Sequence, residues 1–236
     1  MQRHRQPGAE PNMDAGISFD RNSPDERDNR GAFAVTPYFN EIDPHRVAAV
    51  VYRPEDDVDL LLAGFATDRV SCGDRLGGIV QRNLKDEDGH LIGMGVVDLM
   101  CGRQISICQP LGRGATACKL DPGGLAEAAQ AVTRAIAQGV ALIVINKFSR
   151  QEAAGQGLRS EIAAAIVAGV PVLTAVPERC FDSWTQFTGD HGTTLLCARH
   201  VVDQWWQETS SRMAHMHDQM NCAAPEGNRL FSDHHI

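Results

Sequence analysis

The sequence predicts an α/β domain of three layers, in which helices cover both faces of a mostly parallel β-sheet. Two observations support this prediction. Short, almost wholly apolar runs at 47–52, 141–145 and 172–176 have the length and composition of strands buried on both faces. Between them lie longer segments whose apolar residues recur at helical spacing. This alternation is typical of right-handed β-α-β units.

The first half of the predicted domain combines a β-α unit with several extended segments. Apolar residues from Val58 to Ala66 share the spacing of one helix face. A Gly-Arg turn at 101–103 separates two extended segments, which we expect to form an antiparallel ribbon added to the sheet. The predicted elements are a strand at 47–52, a helix at 57–70, a strand at 77–81, a turn at 86–89, and strands at 94–99 and 104–108.

The second half begins with a clear helix signal. Asp121 is predicted to cap a helix at 121–138, and Pro122 suits its first position, where no amide hydrogen is needed. The remaining predicted elements are a strand at 141–146, a helix at 158–168, a strand at 172–176 and a last helix that carries Trp205 and Trp206. The two tryptophans are expected to pack on the sheet, and contact with a second copy in a homo-oligomer is the alternative.

The two ends of the chain differ from its centre. Residues 1–44 are rich in Pro, Gly and charge, so we expect a largely disordered arm. Residues 213–236 are polar and rich in Met and His, which predicts a disordered tail. His215 and His217 in that tail are weak candidates for a metal site, against the alternative of a solvated segment with adventitious metal affinity. The α/β domain is therefore expected at 45–212.

Composition limits the classes of function. The 236 residues carry a formal net charge of −8, which argues against nucleic acid or an anionic membrane as the main partner. The longest apolar runs hold about 6 residues, far below the roughly 20 that span a bilayer, and the first residues lack an apolar signal core. We therefore expect a cytoplasmic protein. Seven cysteines without a C-x-x-C pair predict reduced thiols.

The order of the segments carries a resemblance. Gly78-Ile79-Val80-Gln81, the Gly-Arg ribbon and the runs at 142–148 and 171–177 resemble a bacterial family known as a domain of unknown function, number 2478, over about 47–195. At the level of the fold, the chain is also similar to small P-loop nucleoside-triphosphatases and to the adapter protein of molybdopterin-guanine dinucleotide synthesis. These resemblances imply a P-loop-NTPase-like sheet and a role in metal-cofactor or oxyanion handling. A shared fold does not by itself transfer function.

The phosphate loop of that fold is missing. A phosphate cradle needs the run G-x-x-x-x-G-K-[ST], in which glycines let backbone amides converge on the phosphate. The turn at 52–58 reads Y-R-P-E-D-D-V, with no glycine and with a proline that has no amide hydrogen. Its three acids would repel a triphosphate. They either merely favour the positive end of a helix or hold a cation or a hydroxylated ligand in place of the phosphate. The acidic residue expected after the central strand is replaced by Asn146 and Lys147. We expect no ATP hydrolysis here.

The loop after the strand at 141–146 is the predicted ligand site. In open α/β sheets, the loops that follow the strands gather in one crevice at the carboxyl ends. Lys147 and Arg150 favour an anionic ligand, and glycines at 155 and 157 let the backbone approach it. A surface turn in which Lys147 pairs with Glu152 is the alternative. The candidate ligand-binding residues are Arg53, Gln81, Asn83, Arg113, Asn146, Lys147, Arg150, Glu152, Gly155 and Gly157.

Two classes of function remain open. The first is a non-hydrolytic binding or regulatory protein, on a degenerate nucleotidase fold, for a small anionic, nucleotide-like or metal-cofactor-related ligand. The second is a magnesium-dependent nucleotide or phosphate-ester hydrolase in which Asp56, Asp57 or Glu152 binds the metal. The missing phosphate loop favours the first class, in which no residue is catalytic. The sequence identifies no cofactor.

Overall fold

The computed structural model describes residues 43–85, 91–109 and 119–222. Its strands are β1 (Val47–Tyr52), β2 (Leu76–Lys85), β3 (Leu91–Asp98), β4 (Gln104–Ser106), β5 (Cys108–Gln109), β6 (Lys119–Leu120), β7 (Leu142–Ile145), β8 (Val172–Pro177) and β9 (Thr193–Leu196). Its α-helices are α1 (Val58–Ser71), α2 (Pro122–Ala137), α3 (Arg150–Ala153), α4 (Arg159–Val167), α5 (Phe181–Thr188) and α6 (Arg199–Cys222). Single-turn 3₁₀ helices at Pro44–Arg46 and Glu178–Cys180 precede β1 and α5.

The main sheet has seven strands in the order β4-β3-β2-β7-β8-β1-β9. The five strands β2, β7, β8, β1 and β9 are parallel to one another, whereas β3 pairs antiparallel with both β2 and β4 at one edge. The fold class predicted from the sequence, a mostly parallel sheet with an added antiparallel ribbon, is confirmed. Strands β7 and β8 lie in the interior, and each side chain from Leu142 to Ile145 and from Val172 to Pro177 is buried.

Helices cover both faces of the sheet, as predicted. On one face, α2, α4 and α5 contribute Ala128, Ile162 and Trp184 to the core. On the other face, α1 and α6 contribute Phe65 and Trp205. This arrangement explains the continuous apolar runs of the central strands, because a strand covered on both faces has no solvent side.

The strand order reverses beside β1. Strand β1 connects to α1 on one face of the sheet, and its neighbour β8 leads to α5 on the opposite face. Adjacent strands whose connections leave on opposite faces open a crevice at their carboxyl ends, where open α/β sheets bind their ligands. The segments that follow β1, β7 and β8 are therefore the candidates for a ligand-binding site.

Aspartate side chains cap two of the helices, and the cap at Asp121 was predicted from the sequence. The Asp121 carboxylate accepts a hydrogen bond from the Gly124 amide at 2.8 Å, and Pro122 occupies the first helical position of α2. Asp57 caps α1 in the same way, accepting from the Leu60 amide at 3.1 Å. Both helices thus begin where an aspartate satisfies amides that have no partner within the helix.

Helices α3 and α5, strands β6 and β9 and the two 3₁₀ helices were not assigned from the sequence. Helix α3 is a single turn before α4, and α5 and β9 follow β8. Strand β9 buries only Leu195 among its four side chains, so no strand-like apolar run marks it. The predicted turn at 86–89 lies outside the described residues.

Helix α6 continues to Cys222, beyond the predicted domain boundary at residue 212. The first residues of the segment predicted as a disordered tail thus continue this helix, and Met213 packs against the core. The predicted arm at 1–44 lies outside the described residues except for its last two. Trp205 and Trp206 are 5% and 3% exposed and pack in the core, as the simpler interpretation predicts.

Candidate ligand-binding site

A cavity of about 440 Å³ lies where β1, β7 and β8 end. Tyr52, Asn146 and Arg179 mark these three ends in its wall. Ile79 and Val96 belong to its apolar lining. Small-molecule sites typically measure about 300 to 1,000 Å³ and combine apolar walls with a few polar groups. The size and lining of this cavity suit a small organic ligand.

Asp59, in the first turn of α1, organises the polar wall of the cavity. Its Oδ1 accepts a hydrogen bond from Asn146 Nδ2 at 2.9 Å, and its Oδ2 accepts one from Gln81 Nε2 at 2.8 Å. The Lys147 ammonium lies 2.9 Å from Asp59 Oδ1. One carboxylate thus holds three donors, one from β2 and two from the segment that follows β7. Asp59 was not predicted as a site residue, although its position in the first turn of the helix that follows β1 is a signal for it.

The contacts of Asp59 fix which atoms the two amides present. Asn146 and Gln81 each use the NH₂ group on the carboxylate, so the amide oxygens remain as acceptors. Asn146 is 4% exposed, and its Oδ1 has no hydrogen-bond partner among the described residues. An unpaired buried oxygen costs about 1 to 3 kcal/mol. The cavity wall therefore contains an acceptor that a donor on a ligand would stabilise.

Among the described residues, three cationic side chains line the cavity. Lys147 is committed to Asp59, and its ammonium also lies 5.4 Å from the centre of the Tyr52 ring. Arg150 and Arg179 are exposed, and within the described part of the chain neither contacts a carboxylate. The two arginines therefore remain available to an anionic ligand.

Glu152 shapes the loop between β7 and α4. It is 6% exposed, its Oε2 accepts from the Ser149 amide at 2.9 Å, and its Oε1 accepts from the Leu158 amide at 3.1 Å. The alternative in which Lys147 pairs with Glu152 is wrong, because Lys147 pairs with Asp59 and Glu152 binds backbone amides. Glu152 closes the loop whose outer side lines the cavity.

Gly157 is required by the position of Glu152. Its φ is +61°, and a Cβ there would lie 2.1 Å from Glu152 Oε1. Gly155 also has a positive φ, +82°, but a Cβ there would meet no atom within 4 Å. Both glycines thus have a positive φ, but only Gly157 lacks room for a side chain.

We expect Gly155→Ala to lower the free energy of unfolding by about 1 to 2 kcal/mol, the cost of a left-handed conformation for alanine. Gly157→Ala should cost at least about 1 kcal/mol more, because Glu152 must move off its two amides. Denaturant unfolding of both variants measures this difference. Equal losses in the two variants would show that Glu152 does not hold the loop.

The turn that replaces a phosphate loop is closed on itself. The Arg53 amide donates to Asp56 Oδ2 at 2.8 Å, and the Asp56 amide donates to the Arg53 carbonyl at 3.0 Å. Pro54 supplies no donor, and the Arg53 guanidinium lies 2.7 Å from Glu178 Oε1. The turn offers no converging set of amides for a phosphate.

A smaller cavity of about 270 Å³ adjoins this turn. It is lined by Tyr52, Pro54, Pro177, Glu178 and Arg179. Tyr52 and Arg179 line the larger cavity as well. The two cavities therefore have these two side chains in common.

The acids of the turn act on Cys197, the residue that follows β9. Burial, and then the carboxylates of Asp56 and Asp57, raise the pKa of the Cys197 thiol above its usual value. At neutral pH this thiol is protonated, so it is a poor nucleophile. Asp56 and Asp57 thus act on Cys197, whereas Arg150 and Arg179 line the larger cavity.

The structure brings six of the predicted residues to the larger cavity. They are Gln81, Asn146, Lys147, Arg150, Glu152 and Gly157. Arg53 is not among its lining residues and pairs with Glu178 instead, and Gly155 does not line it either. The side chain of Asn83 and all of Arg113 lie outside the described residues.

The predicted metal ligands and the predicted reduced thiols concern other places in the fold. His215 is exposed on α6, and the side chain of His217 is outside the described ones. In residues 43–85, 91–109 and 119–222, no group of three or more His, Cys, Asp or Glu side chains is arranged to hold a metal ion. The prediction that all thiols are reduced is wrong for Cys108, which is disulfide-bonded, while Cys72, Cys101, Cys180 and Cys197 are free. Pairing depends on distance in the fold, which Cys spacing does not show.

The model of the family described as "Protein of unknown function (DUF2478)" matches residues 47–205. That match spans the strands from β1 to β9 and the cavity between them. The chain belongs to the DUF2478 family. The resemblance identified from the segment order is therefore confirmed.

This chain is also similar to a longer protein. A "Molybdenum import ATP-binding protein ModC 2" of Bradyrhizobium diazoefficiens is 64% identical over 192 residues. The match covers 81% of this chain and 21% of that protein. The chain thus spans about a fifth of the length of this curated relative. Among the helices of the described residues, none has the length and apolarity needed to cross a bilayer.

Proposed function

We propose that this DUF2478 domain binds a small organic anion without hydrolysing it and regulates the system in which it operates. The observation that carries the proposal is the pair Arg150 and Arg179, which line the larger cavity with no carboxylate partner among the described residues. The protein as a whole carries a formal charge of −8. An uncompensated cationic wall in an acidic protein favours an anionic ligand at that one place.

The lining supports an organic anion over a simple oxyanion. Ile79, Val96 and Leu125 give the cavity apolar walls, and its volume of about 440 Å³ exceeds what a single tetrahedral oxyanion needs. The oxygens of Gln81 and Asn146 are acceptors for ligand N–H groups. A nucleotide-like or pterin-like molecule, with a ring that carries N–H donors and an attached phosphate, meets all three requirements.

The carboxylates support binding over hydrolysis. A magnesium-dependent hydrolase would need Asp56, Asp57 or Glu152 free to bind the ion. Asp56 accepts from the Arg53 amide and Asp57 from the Leu60 amide. Both oxygens of Glu152 are likewise used by backbone amides. These contacts favour structural roles for all three acids.

The name of the longer relative suggests in which process this domain takes part. It is named for molybdenum import and for ATP binding, and this chain matches about a fifth of it. Since this domain lacks an amide cradle, we propose that its contribution is a regulatory site whose ligand reports on molybdenum or its organic cofactor. The predicted similarity to a molybdopterin-related adapter points the same way.

Isothermal titration with GMP, AMP, inorganic phosphate and molybdate tests this proposal. We expect a mononucleotide to bind more tightly than either inorganic anion. Arg150→Ala and Arg179→Ala should each weaken that binding about 10-fold or more, since a charge-assisted hydrogen bond contributes about 1.5 to 3 kcal/mol. Arg212→Ala, which removes an exposed arginine from α6, is the matched control.

Three outcomes would contradict the proposal. The first is that no probe binds at millimolar concentration. The second is that neither arginine variant changes the affinity although both remain folded. The third is magnesium-dependent hydrolysis of ATP above a buffer blank that is lost in Asp57→Ala, which would favour the hydrolase.

A further inference from the structure

Asp59 fixes the orientation of two amide side chains in the wall of the larger cavity. Its Oδ1 accepts a hydrogen bond from Asn146 Nδ2 at 2.9 Å, and its Oδ2 accepts one from Gln81 Nε2 at 2.8 Å. Turning either amide over would exchange its NH₂ group and its oxygen. The exchange would place an amide oxygen against a carboxylate oxygen, and neither atom carries a donor. Both amides therefore keep their oxygens for other partners.

The backbone brings these two amides close together. Asn146 follows β7, and its backbone amide donates to the Ile79 carbonyl of β2 at 3.2 Å. Gln81 lies two residues after Ile79, so Ile79 and Gln81 project from the same face of β2. Neighbouring strands are about 4.8 Å apart. Because Asn146 and Gln81 also share one carboxylate and line the same cavity, they offer it neighbouring acceptors.

One of these two acceptors lacks a partner. Asn146 is 4% exposed, and its Oδ1 has no hydrogen-bond partner within residues 43–85, 91–109 and 119–222. A buried acceptor without a donor is destabilising, so a ligand donor gains more here than at a solvated oxygen. A ligand acceptor at the same place would meet a second acceptor and would be disfavoured. The two amides thus select a ligand by its hydrogen-bonding groups, in addition to its charge.

We propose that the site selects a ring whose edge carries two adjacent N–H donors, and that Asp59 is the positioning residue for this selection. The 2-amino-4-oxopyrimidine ring has such an edge, with a ring N–H beside an NH₂ group, and it occurs in guanine and in pterins. Adenine has a ring acceptor beside its NH₂ group, so it cannot satisfy both oxygens. This inference rests on the proposed function, because it names the ring of the anion that the same site binds.

Isothermal titration of the full chain with two matched pairs of ligands tests the inference. The nucleotide pair is GMP and IMP, which lacks only the 2-amino group. The pterin pair is pterin-6-carboxylate and lumazine-6-carboxylate, in which an oxygen replaces the 2-amino group. In at least one pair, we expect the ligand with both donors to bind about 10-fold or more tightly, because its counterpart leaves an amide oxygen unpaired. The pair that shows this preference identifies the source of the ring.

Asp59→Asn tests the positioning role. An asparagine side chain donates as well as accepts, so it no longer holds Asn146 and Gln81 with their oxygens free. We expect the preference within the discriminating pair to fall below about 3-fold, because the two acceptors are then not fixed. A merely structural role would change both affinities and leave their ratio as it is. Asp182→Asn, which alters an exposed aspartate in the first turn of α5, is the matched control and should keep the wild-type ratio.

The results separate this inference from the proposed function. A wild-type preference below about 3-fold in both pairs, with binding retained, would overturn the ring selection and leave the anion site at Arg150 and Arg179 intact. An unchanged ratio in Asp59→Asn would overturn the role of Asp59. No binding of any of the four anions would overturn the proposed function and this inference with it.

Discussion

Replacing Phe148 with alanine should lower the free energy of unfolding by about 3 to 5 kcal/mol, the range for truncating a buried phenylalanine. Phe148 has no exposed surface, although it belongs to the loop after β7 and not to a strand or helix. Its ring meets Trp184 edge-on at 5.2 Å and stacks on Phe187 at 5.5 Å between ring centres. Denaturant unfolding measures the loss.

Two controls make this prediction specific. Phe148→Leu keeps most of the volume and should cost clearly less than the alanine variant. Leu60→Ala removes an apolar side chain that is 68% exposed, and it should change stability by less than about 0.5 kcal/mol. A loss below about 1 kcal/mol in Phe148→Ala would show that the loop does not depend on this aromatic cluster. Phe148 directly follows Lys147, which lines the candidate site. The contacts that bury Phe148 therefore also hold this part of the site in place.

Replacing Asp98 with alanine should cost about 2 to 4 kcal/mol at pH 7, because it removes the acceptor of three donors. Asp98 ends β3 with no exposed surface. Its carboxylate accepts from the Met100 amide at 2.9 Å and the Cys101 thiol at 3.2 Å, and it pairs with Arg134 of α2 at 2.6 Å. The carboxylate thus ties the antiparallel edge of the sheet to the helix beside it.

The effect of Asp98 should depend on pH. Burial would raise the pKa of this carboxyl, but the Met100 amide, the Cys101 thiol and Arg134 outweigh burial and hold the pKa below its usual value. The unfolded value is about 3.9, so the stabilisation is fully present above that pH and is lost as the pH falls through the folded pKa.

Comparison of the wild type with Asp98→Asn at pH 7 and at successively lower pH tests this dependence. The difference in unfolding free energy between the two proteins should shrink in acid. Asp203→Ala, which breaks an exposed pair with Arg199, is the control and should cost less than about 1 kcal/mol. A difference that persists unchanged at pH 3 would show that the Asp98 charge does not matter.

The strands that are buried on both faces could be predicted because burial dictates their composition. The runs at 47–52 and 172–176 lie within a residue of β1 and β8. The capping aspartates Asp57 and Asp121 likewise act locally, through amides three residues away. Strand β9 could not be predicted, because a four-residue edge strand is defined by its pairing with β1 and not by its own side chains.

The candidate site, too, could be predicted only in part from the sequence. The sequence places Asn146, Lys147 and Arg150 after a central strand. Because open α/β sheets bind ligands at the carboxyl ends of their strands, this order predicts where the three residues lie. It does not show that Lys147 pairs with Asp59, a residue 88 positions earlier in the sequence. Arg179 was also missed, because no residue near it was assigned to a site. Only the parallel order of β1, β7 and β8 brings these side chains to one cavity.

The sequence by itself determined the fold class, the family and the absence of a phosphate loop, because each depends on residue types at short spacing. The tertiary structure decided the charge pattern of the crevice: Asp59 neutralises Lys147, Arg53 pairs with Glu178, and Arg150 and Arg179 stay unpaired in the described residues. The physical reason is that ion pairs form between residues that the sheet order brings together. Which cations a ligand can use therefore depends on contacts between residues far apart in the sequence.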